Sequence, residues 1–397
     1  MSEDPTPSGT PAAKPPPWND PFIRSIFFQV LAVAILGYFF YFIFDNTLAN
    51  MAKSGVSTGF AFLSREAGFG ILMSLIDYDE TYSYGRTFFV GLLNTAVVAA
   101  SGIVLATLLG FVLGVARLSN NWLISKLAAL YIEIFRNVPL LLQIIFWSVA
   151  VFQALPRPDK SLQLGDAFFL NNRGLFLPDP VFGAGFEFVT VAFLIAIAGV
   201  YFLKNWARKR QESTGQQFPV LYTSLALLIG LPLIVFLIMG MPLSWEYAKL
   251  ERFSFVGGAN IIPEFMALLW ALTMYTAAFI AEIVRSGIQA VSHGQSEAAH
   301  ALGLRNGPTL RLVIIPQAMR VIIPPLTSQY LNLTKNSSLA TAIGYPDLVS
   351  VFMGTTLNQT GQAVEIVAMT MAVYLTFSLS ISMVMNWYNN RVALVER

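Results

Sequence analysis

The chain has 397 residues with 24 basic and 22 acidic side chains, a formal charge of +2, and only 12% of its residues are charged while 55% are hydrophobic. Soluble domains average about 25% charged residues, so the composition defines a polytopic membrane protein, all-α in class because long apolar runs cross a bilayer as helices. Cysteine is absent and the two histidines, His293 and His300, share one polar stretch, which excludes disulfide scaffolds, iron–sulfur clusters, thiolate zinc sites and cysteine nucleophiles; the near-neutral charge argues against nucleic acid as a partner.

The first 21 residues hold seven prolines, and residues 1–25 read as a disordered cytoplasmic tail. About eight transmembrane helices follow. The first, Ile26–Phe44, is longer than a signal-peptide core and lacks a small-x-small cleavage site after it, so it reads as an uncleaved anchor. Residues 45–86 form an outer loop with an acidic cluster, Asp77, Asp79 and Glu80, which could dock a partner protein but whose plainest reading is a solvated loop. Span two is Phe88–Val115, with Gly110 and Gly114 spaced for close helix packing. Span three is Val138–Leu155, span four Phe186–Leu203 and span five Phe218–Met241. Span six is Phe265–Ile283. Span seven, Val321–Leu333, is short and carries Pro324 and Pro325, so it is expected to kink and to be buried in protein or to line a cavity. Span eight is Ala363–Trp387. Basic residues are more numerous in the segments sharing a side with the N-terminus, above all Lys204, Arg208, Lys209 and Arg210, which places both termini in the cytoplasm.

The sequence contains no G-x-x-x-x-G-K-[ST] loop and no G-x-G-x-x-G turn, so it has no such site for nucleotide phosphates. Its spans are nearly free of ionisable groups. The exception, Glu282, precedes Arg285 by three positions on one helix face, the spacing of a structural ion pair. This scarcity counts against an ion-gradient-driven secondary transporter.

Between spans six and seven, Ser296 suits an N-cap, Glu297 the first turn of a helix and Gly303 its C-terminal stop. The pattern predicts a short helix over 296–304. Ala298, Ala299 and Ala301 give it a thin surface able to enter a groove on another protein. The alternative is a helix lying on the bilayer surface, for which its apolar side is weak.

Glu297-Ala298-Ala299, Gly303 and Val313-Ile314-Ile315-Pro316 resemble the EAA signature of ABC importer membrane subunits, with Val313 and Ile315 as conservative departures. Phe135-Arg136-Asn137-Val138-Pro139-Leu140-Leu141-Leu142-Gln143 is similar to the element after the first core span of polar amino-acid permeases. Tyr275 to Ile288 resembles the next span of that group, and Lys335-Asn336-Ser337-Ser338-Leu339 with Gly344-Tyr345-Pro346-Asp347-Leu348 resembles its stretch before the last span. The resemblance covers about residues 85–155 and 262–390. With its long insertion, the chain resembles the larger Q-type permeases of general L-amino-acid importers and, equally, the related glutamate/glutamine/aspartate/asparagine permeases.

That resemblance implies a type I ABC importer (MetI-like) five-helix core in two parts, 87–155 and 263–390. Three extra helices come from residues 26–44 and from the insertion 156–262, and residues 391–397 are a cytoplasmic tail. It implies a membrane-spanning permease subunit of an ATP-driven importer for L-amino acids, in the bacterial inner membrane. Glu297, Ala298, Ala299, Gly303 and Pro316 would belong to the coupling element that docks on the ATPase. The implied partners are a second homologous permease subunit, an ABC ATPase dimer and a periplasmic amino-acid-binding protein. This chain would hold no metal or cofactor and catalyse no reaction; ATP and Mg would be bound by the ATPase subunits. A zwitterionic substrate needs donors for its carboxylate and acceptors for its ammonium group. The pathway candidates are Asn94, Thr95, Gln143 and Thr276, with Lys335, Asn336, Ser337 and Ser338 near the mouth. For each polar residue an interhelix hydrogen bond is the competing explanation.

Overall fold

The computed structural model describes residues 21–53, 58–252 and 254–392. The predicted N-terminal tail up to residue 20, and the C-terminal tail beyond residue 392, lie outside them. The apolar runs form long helices. α1 (Pro21–Lys53) is exposed at every side chain described, and its Phe, Ile and Leu residues are suited to lipid. α2 (Tyr84–Arg117) and α7 (Pro263–Gln289) form the centre of the core. Lipid tails are as apolar as leucine, so helices associate in a membrane through close packing rather than through the hydrophobic effect. The α2–α7 seam shows how closely they pack. A Cβ on Gly110 would lie 2.6 Å from Ile280 Cβ, and one on Gly114 would lie 2.7 Å from the Ala281 carbonyl oxygen. Only glycine allows the two backbones this approach.

α3 (Trp122–Asn137) occupies a stretch that the sequence reading left between spans. Asn121 caps it, its side chain accepting from the Leu123 and Ile124 amides at 3.0 and 3.2 Å. Pro139 then interrupts the chain, and α4 (Leu140–Ile145) continues into a π-helical segment, Phe146–Phe152. The two halves are bent by 104°. The third span is therefore not the continuous 138–155 helix expected, because Asn137-Val138-Pro139 breaks it. Among the described residues seven helices are long and apolar enough to cross a bilayer, and eight if this bent pair counts as one.

After α7 come α8 (His293–Ala301) and α9 (Asn306–Thr309), then a π-helical segment Leu310–Ile314 and α10 (Ile315–Asn336). The seventh span is longer than predicted. Helical structure runs through Asn306–Ile343, and α10 stays helical past both Pro324 and Pro325. A 3-10 segment (Ser337–Ile343), a turn at 344–348, a second π-helical segment (Val349–Thr356) and α11 (Leu357–Thr360) lead into α12 (Ala363–Val392).

The segments flanking α5 (Phe186–Thr214) and α6 (Val220–Ile238) are not plain loops. Before α5 lie β1 (Leu162–Leu164), β2 (Phe168–Asn171), β3 (Gly174–Leu177) and β4 (Asp179–Phe182). After α6 lie β5 (Leu243–Glu246), β6 (Lys249–Glu251), β7 (Ser254–Val256) and β8 (Ala259–Ile261). An antiparallel sheet runs β1-β2-β3-β8, β4 pairs with β5 and β6 with β7. Phe169, Phe176 and Phe255 stack at its centre, with ring centroids 4.7 and 4.8 Å apart. Gly174, at φ +133, admits the Ile261 carbonyl to a position 2.4 Å from where a Cβ would sit. Strands on both sides of the α5–α6 hairpin share one sheet, so both hairpin feet lie at the same end of the molecule. β8 passes through Ile261 and Ile262 directly into α7, and both side chains join the core.

Candidate coupling helix and mouth of the core

α8 begins three residues earlier than predicted. Ser292, not Ser296, is at the N-cap position, and its side chain makes no capping bond. His293 and Glu297 pair across the first turn at 3.1 Å. The C-terminal end is a Schellman motif: the Gly303 amide donates to the His300 carbonyl at 2.9 Å and the Leu304 amide to Ala299 at 3.1 Å. Gly303 takes φ +79 there, a conformation L side chains rarely adopt. Of the α8 residues only Ala299 is buried. Glu297 and Ala298 are exposed, and Leu302, which the sequence reading passed over, is 82% exposed.

This helix is fixed to both central helices. It follows α7 directly, and Gln317 on α10 donates to Gln295 at 3.1 Å. His300 and Asn306 bond at 3.0 Å. Pro316 starts α10 next to this contact. Further along, Ile322 of α10 packs against Gly287 of α7, 2.4 Å from where a Cβ would stand. Glu282 accepts from Arg285 Nε at 3.0 and 3.1 Å, and Arg285 Nη1 also donates to Gln289. The pair sits one turn before this junction.

At the opposite end of α2, Asn94 and Thr95 hold a turn. Asn94 Nδ2 donates to the Met73 and Pro346 carbonyls, each at 2.8 Å. Thr95 Oγ1 accepts from the Leu348 amide at 3.0 Å, and the Tyr345 hydroxyl donates to the Asn94 carbonyl at 3.0 Å. Gly91 lets Leu348 approach to 2.9 Å from a Cβ position. Asp347, fully buried here, accepts from the Ser350 amide at 2.8 Å and faces the Tyr374 hydroxyl at 3.4 Å. Asp347 belongs to the Gly344-to-Leu348 motif, and its place between two apolar runs is the sequence signal of a buried charge that motif matching alone misses. Ser337 is buried and Ser338 half-buried, and they donate to the Thr334 and Lys335 carbonyls at 2.7 Å, closing α10. Lys335 is exposed and Asn336 half-buried beside them.

Gln143 is at the 104° bend. Its amide donates to the Phe135 and Val138 carbonyls at 3.0 and 2.9 Å, satisfying the last turn of α3 where Pro139 cannot. A cavity of about 500 Å³ opens there, lined by Phe135, Val138, Leu142, Gln143, Phe146 and Trp147 among others. Thr276 is buried in α7. Thus Asn94 and Thr95 meet at one node, while Gln143 belongs to a separate one. Both amides keep a buried oxygen without a partner, Asn94 Oδ1 and Gln143 Oε1, and Thr273 Oγ1 on α7 is in the same condition.

In the loop before α2, the exposed Asp79 accepts from the Thr81 hydroxyl and amide at 2.5 and 2.8 Å, and these bonds hold its carboxyl below the usual range. Burial, then the Glu80 and Asp79 charges, push the neighbouring Tyr78 hydroxyl up to about 12; it donates to the Phe69 carbonyl. The acidic cluster is thus partly used in shaping its own turn.

A multi-pass helical core with this short exposed helix is the architecture of a transport permease. Residues 219–394 match the family of binding-protein-dependent transport system inner membrane components. Over 95% of its length the chain is 54% identical to 96% of the putative amino-acid ABC transporter permease YhdX of Escherichia coli. It is 52% identical, over the same share, to 94% of the general L-amino acid transport system permease AapQ of Rhizobium johnstonii. It is 40% identical to 96% of the glutamate/glutamine/aspartate/asparagine transport system permease BztB of Rhodobacter capsulatus. The chain belongs to the amino-acid ABC transporter permease family.

Proposed function

We propose that the chain is the membrane-spanning permease subunit of an ATP-driven importer of L-amino acids. It works beside a second, homologous permease, two ATPase subunits that bind ATP and Mg, and a binding protein that delivers substrate. α8 and both termini face the cytoplasm, and the strand module faces outward. α8 is the coupling element: a helix with one buried residue, joined at its two ends to α7 and α10, transmits a push on its exposed face to the core as a rigid-body movement. Glu297, Ala298, Ala299 and Gly303 shape its docking surface, and Leu302 adds an apolar anchor. Nucleotide binding in the partner supplies the bias between inward- and outward-facing states.

The exposure of α8 is the observation that carries this reading. Co-purification with the ATPase tests it. Glu297→Lys and Leu302→Asp should leave the chain inserted, reduce recovery of the ATPase and lower uptake. Normal assembly and uptake in both variants would remove the assignment, and uptake driven by an ion gradient without ATP would favour a secondary transporter. For the substrate, each of the unpartnered oxygens of Asn94, Gln143 and Thr273 is an acceptor suited to an ammonium group, and the Asn94 and Gln143 nodes are alternative places for it.

A further inference from the structure

The strand module carries a cleft that the transport core does not need. Arg157, Pro158, Asp159, Asn172, Arg173 and Arg252 line a cavity of about 500 Å³. These residues come from three separate elements: the turn that follows the broken third span, the β2–β3 turn and the end of β6. The cleft is built, not incidental. Pro158 is buried. The Asn172 amide donates to the Pro156 carbonyl at 2.9 Å, binding the β2–β3 turn to the end of the broken span. Asn171 accepts from the Arg173 amide at 2.8 Å and donates to Ser161 at 3.0 Å; Ser161 in turn donates to the Pro158 carbonyl at 2.7 Å. Arg252 is held at φ 47, a conformation unusual for a non-glycine residue.

The three arginines are exposed, and among the described residues none of them forms an ion pair. Asp159 is the one acidic side chain lining the cleft. Asn172 Oδ1 is buried without a hydrogen-bond partner. Three guanidinium groups around one cleft present paired N–H donors at fixed angles, the arrangement that recognises carboxylates bidentately. A protein that keeps three arginines unpaired on a rigid module, facing out from the membrane, is complementary to an acidic surface.

We infer that the Arg157–Arg173–Arg252 cleft is the docking site for an acidic patch on the protein that delivers substrate. This rests on the proposed importer function and adds the place and the charge of the contact. Docking there would bear on the end of the broken third span through Arg157 and on the start of α7 through β8.

The test uses the complete transporter in lipid nanodiscs with its binding protein, reading ATPase activity against binding-protein concentration at two ionic strengths. Arg157→Gln/Arg173→Gln/Arg252→Gln should raise the half-saturating concentration by about tenfold or more and make it less sensitive to salt. Basal ATPase activity and the rate at saturation should stay at wild-type values, which also shows that the variant folds and assembles. Arg252→Gly alone, which relieves the backbone strain, should raise the half-saturating concentration by a smaller factor. An unchanged half-saturating concentration with unchanged salt dependence would overturn the inference. A wild-type complex without ATPase activity, or without any response to binding protein, would instead refute the importer reading itself.

Discussion

Adding one methyl group to the α2–α7 seam tests whether close backbone approach holds the core together. In Gly114→Ala the new Cβ meets the Ala281 carbonyl oxygen and Val284 Cβ at 2.7 Å, and in Gly110→Ala it meets Ile280 Cβ at 2.6 Å. Ordinary contact begins at 3.4 Å, so each variant forces the helices apart by roughly 0.7 Å unless a neighbour moves. A gap of about 0.5–1 Å forfeits a quarter to a half of each dispersion contact it opens, and overpacking of this kind costs about 1–3 kcal/mol. One separation relieves both clashes, because the two glycines lie one turn apart on one face. The double variant should therefore cost less than the sum of the single ones. Thermal unfolding in detergent should show apparent midpoints lowered by about 2–10 °C for each single variant. Gly37→Ala in α1 and Gly230→Ala in α6 are the controls, since a Cβ at either position meets nothing within 4 Å; these should be neutral or stabilising by up to about 1 kcal/mol. If the seam variants melted with the controls, glycine packing would not be what holds α2 to α7.

The other expectations concern the two polar nodes and the end of α8. Gln143→Glu keeps the shape but loses both donors, so it should destabilise by about 1–3 kcal/mol, as much as Gln143→Leu; protease sensitivity near residue 138 would report the loosened bend, and full resistance in both variants would count against it. Asn94→Asp removes the donors to Met73 and Pro346 and should lower the melting midpoint, whereas Asp347→Asn keeps an acceptor for the Ser350 amide and should be tolerated; the reverse order would refute the hydrogen-bond assignment. Gly303→Val puts a β-branched side chain at φ +79 and should cost about 1–2 kcal/mol. Its expected signature is lowered uptake with membrane insertion intact.

The spans were legible because a bilayer demands long apolar runs: each of the eight predicted runs overlaps a helix or the bent pair, though 138–155 and 218–241 extend beyond theirs. Their ends were less legible. α10 exceeds its apolar centre because polar residues such as Gln317 and Thr334 continue the helix on partners within protein. α8 starts early since His293 and Glu297 support its first turn, which a search for a capping serine at 296 overlooks. The strand module left almost no local trace. Its strands are three or four residues long, and β3 pairs with β8 across the whole α5–α6 hairpin. No window of sequence contains both partners. The same holds for Asp347, whose burial depends on Gly91 and Thr95 far earlier in the chain.

Phe182 and Leu243 are direct partners in the β4–β5 ladder. The chain therefore departs for α5 and returns from α6 at one spot, with no net displacement. A segment attached in this way can be lengthened, exchanged or lost without shifting the register of anything on either side. The transport core and the hairpin can thus acquire sequence changes at different rates, with the short strands serving as the joint between them.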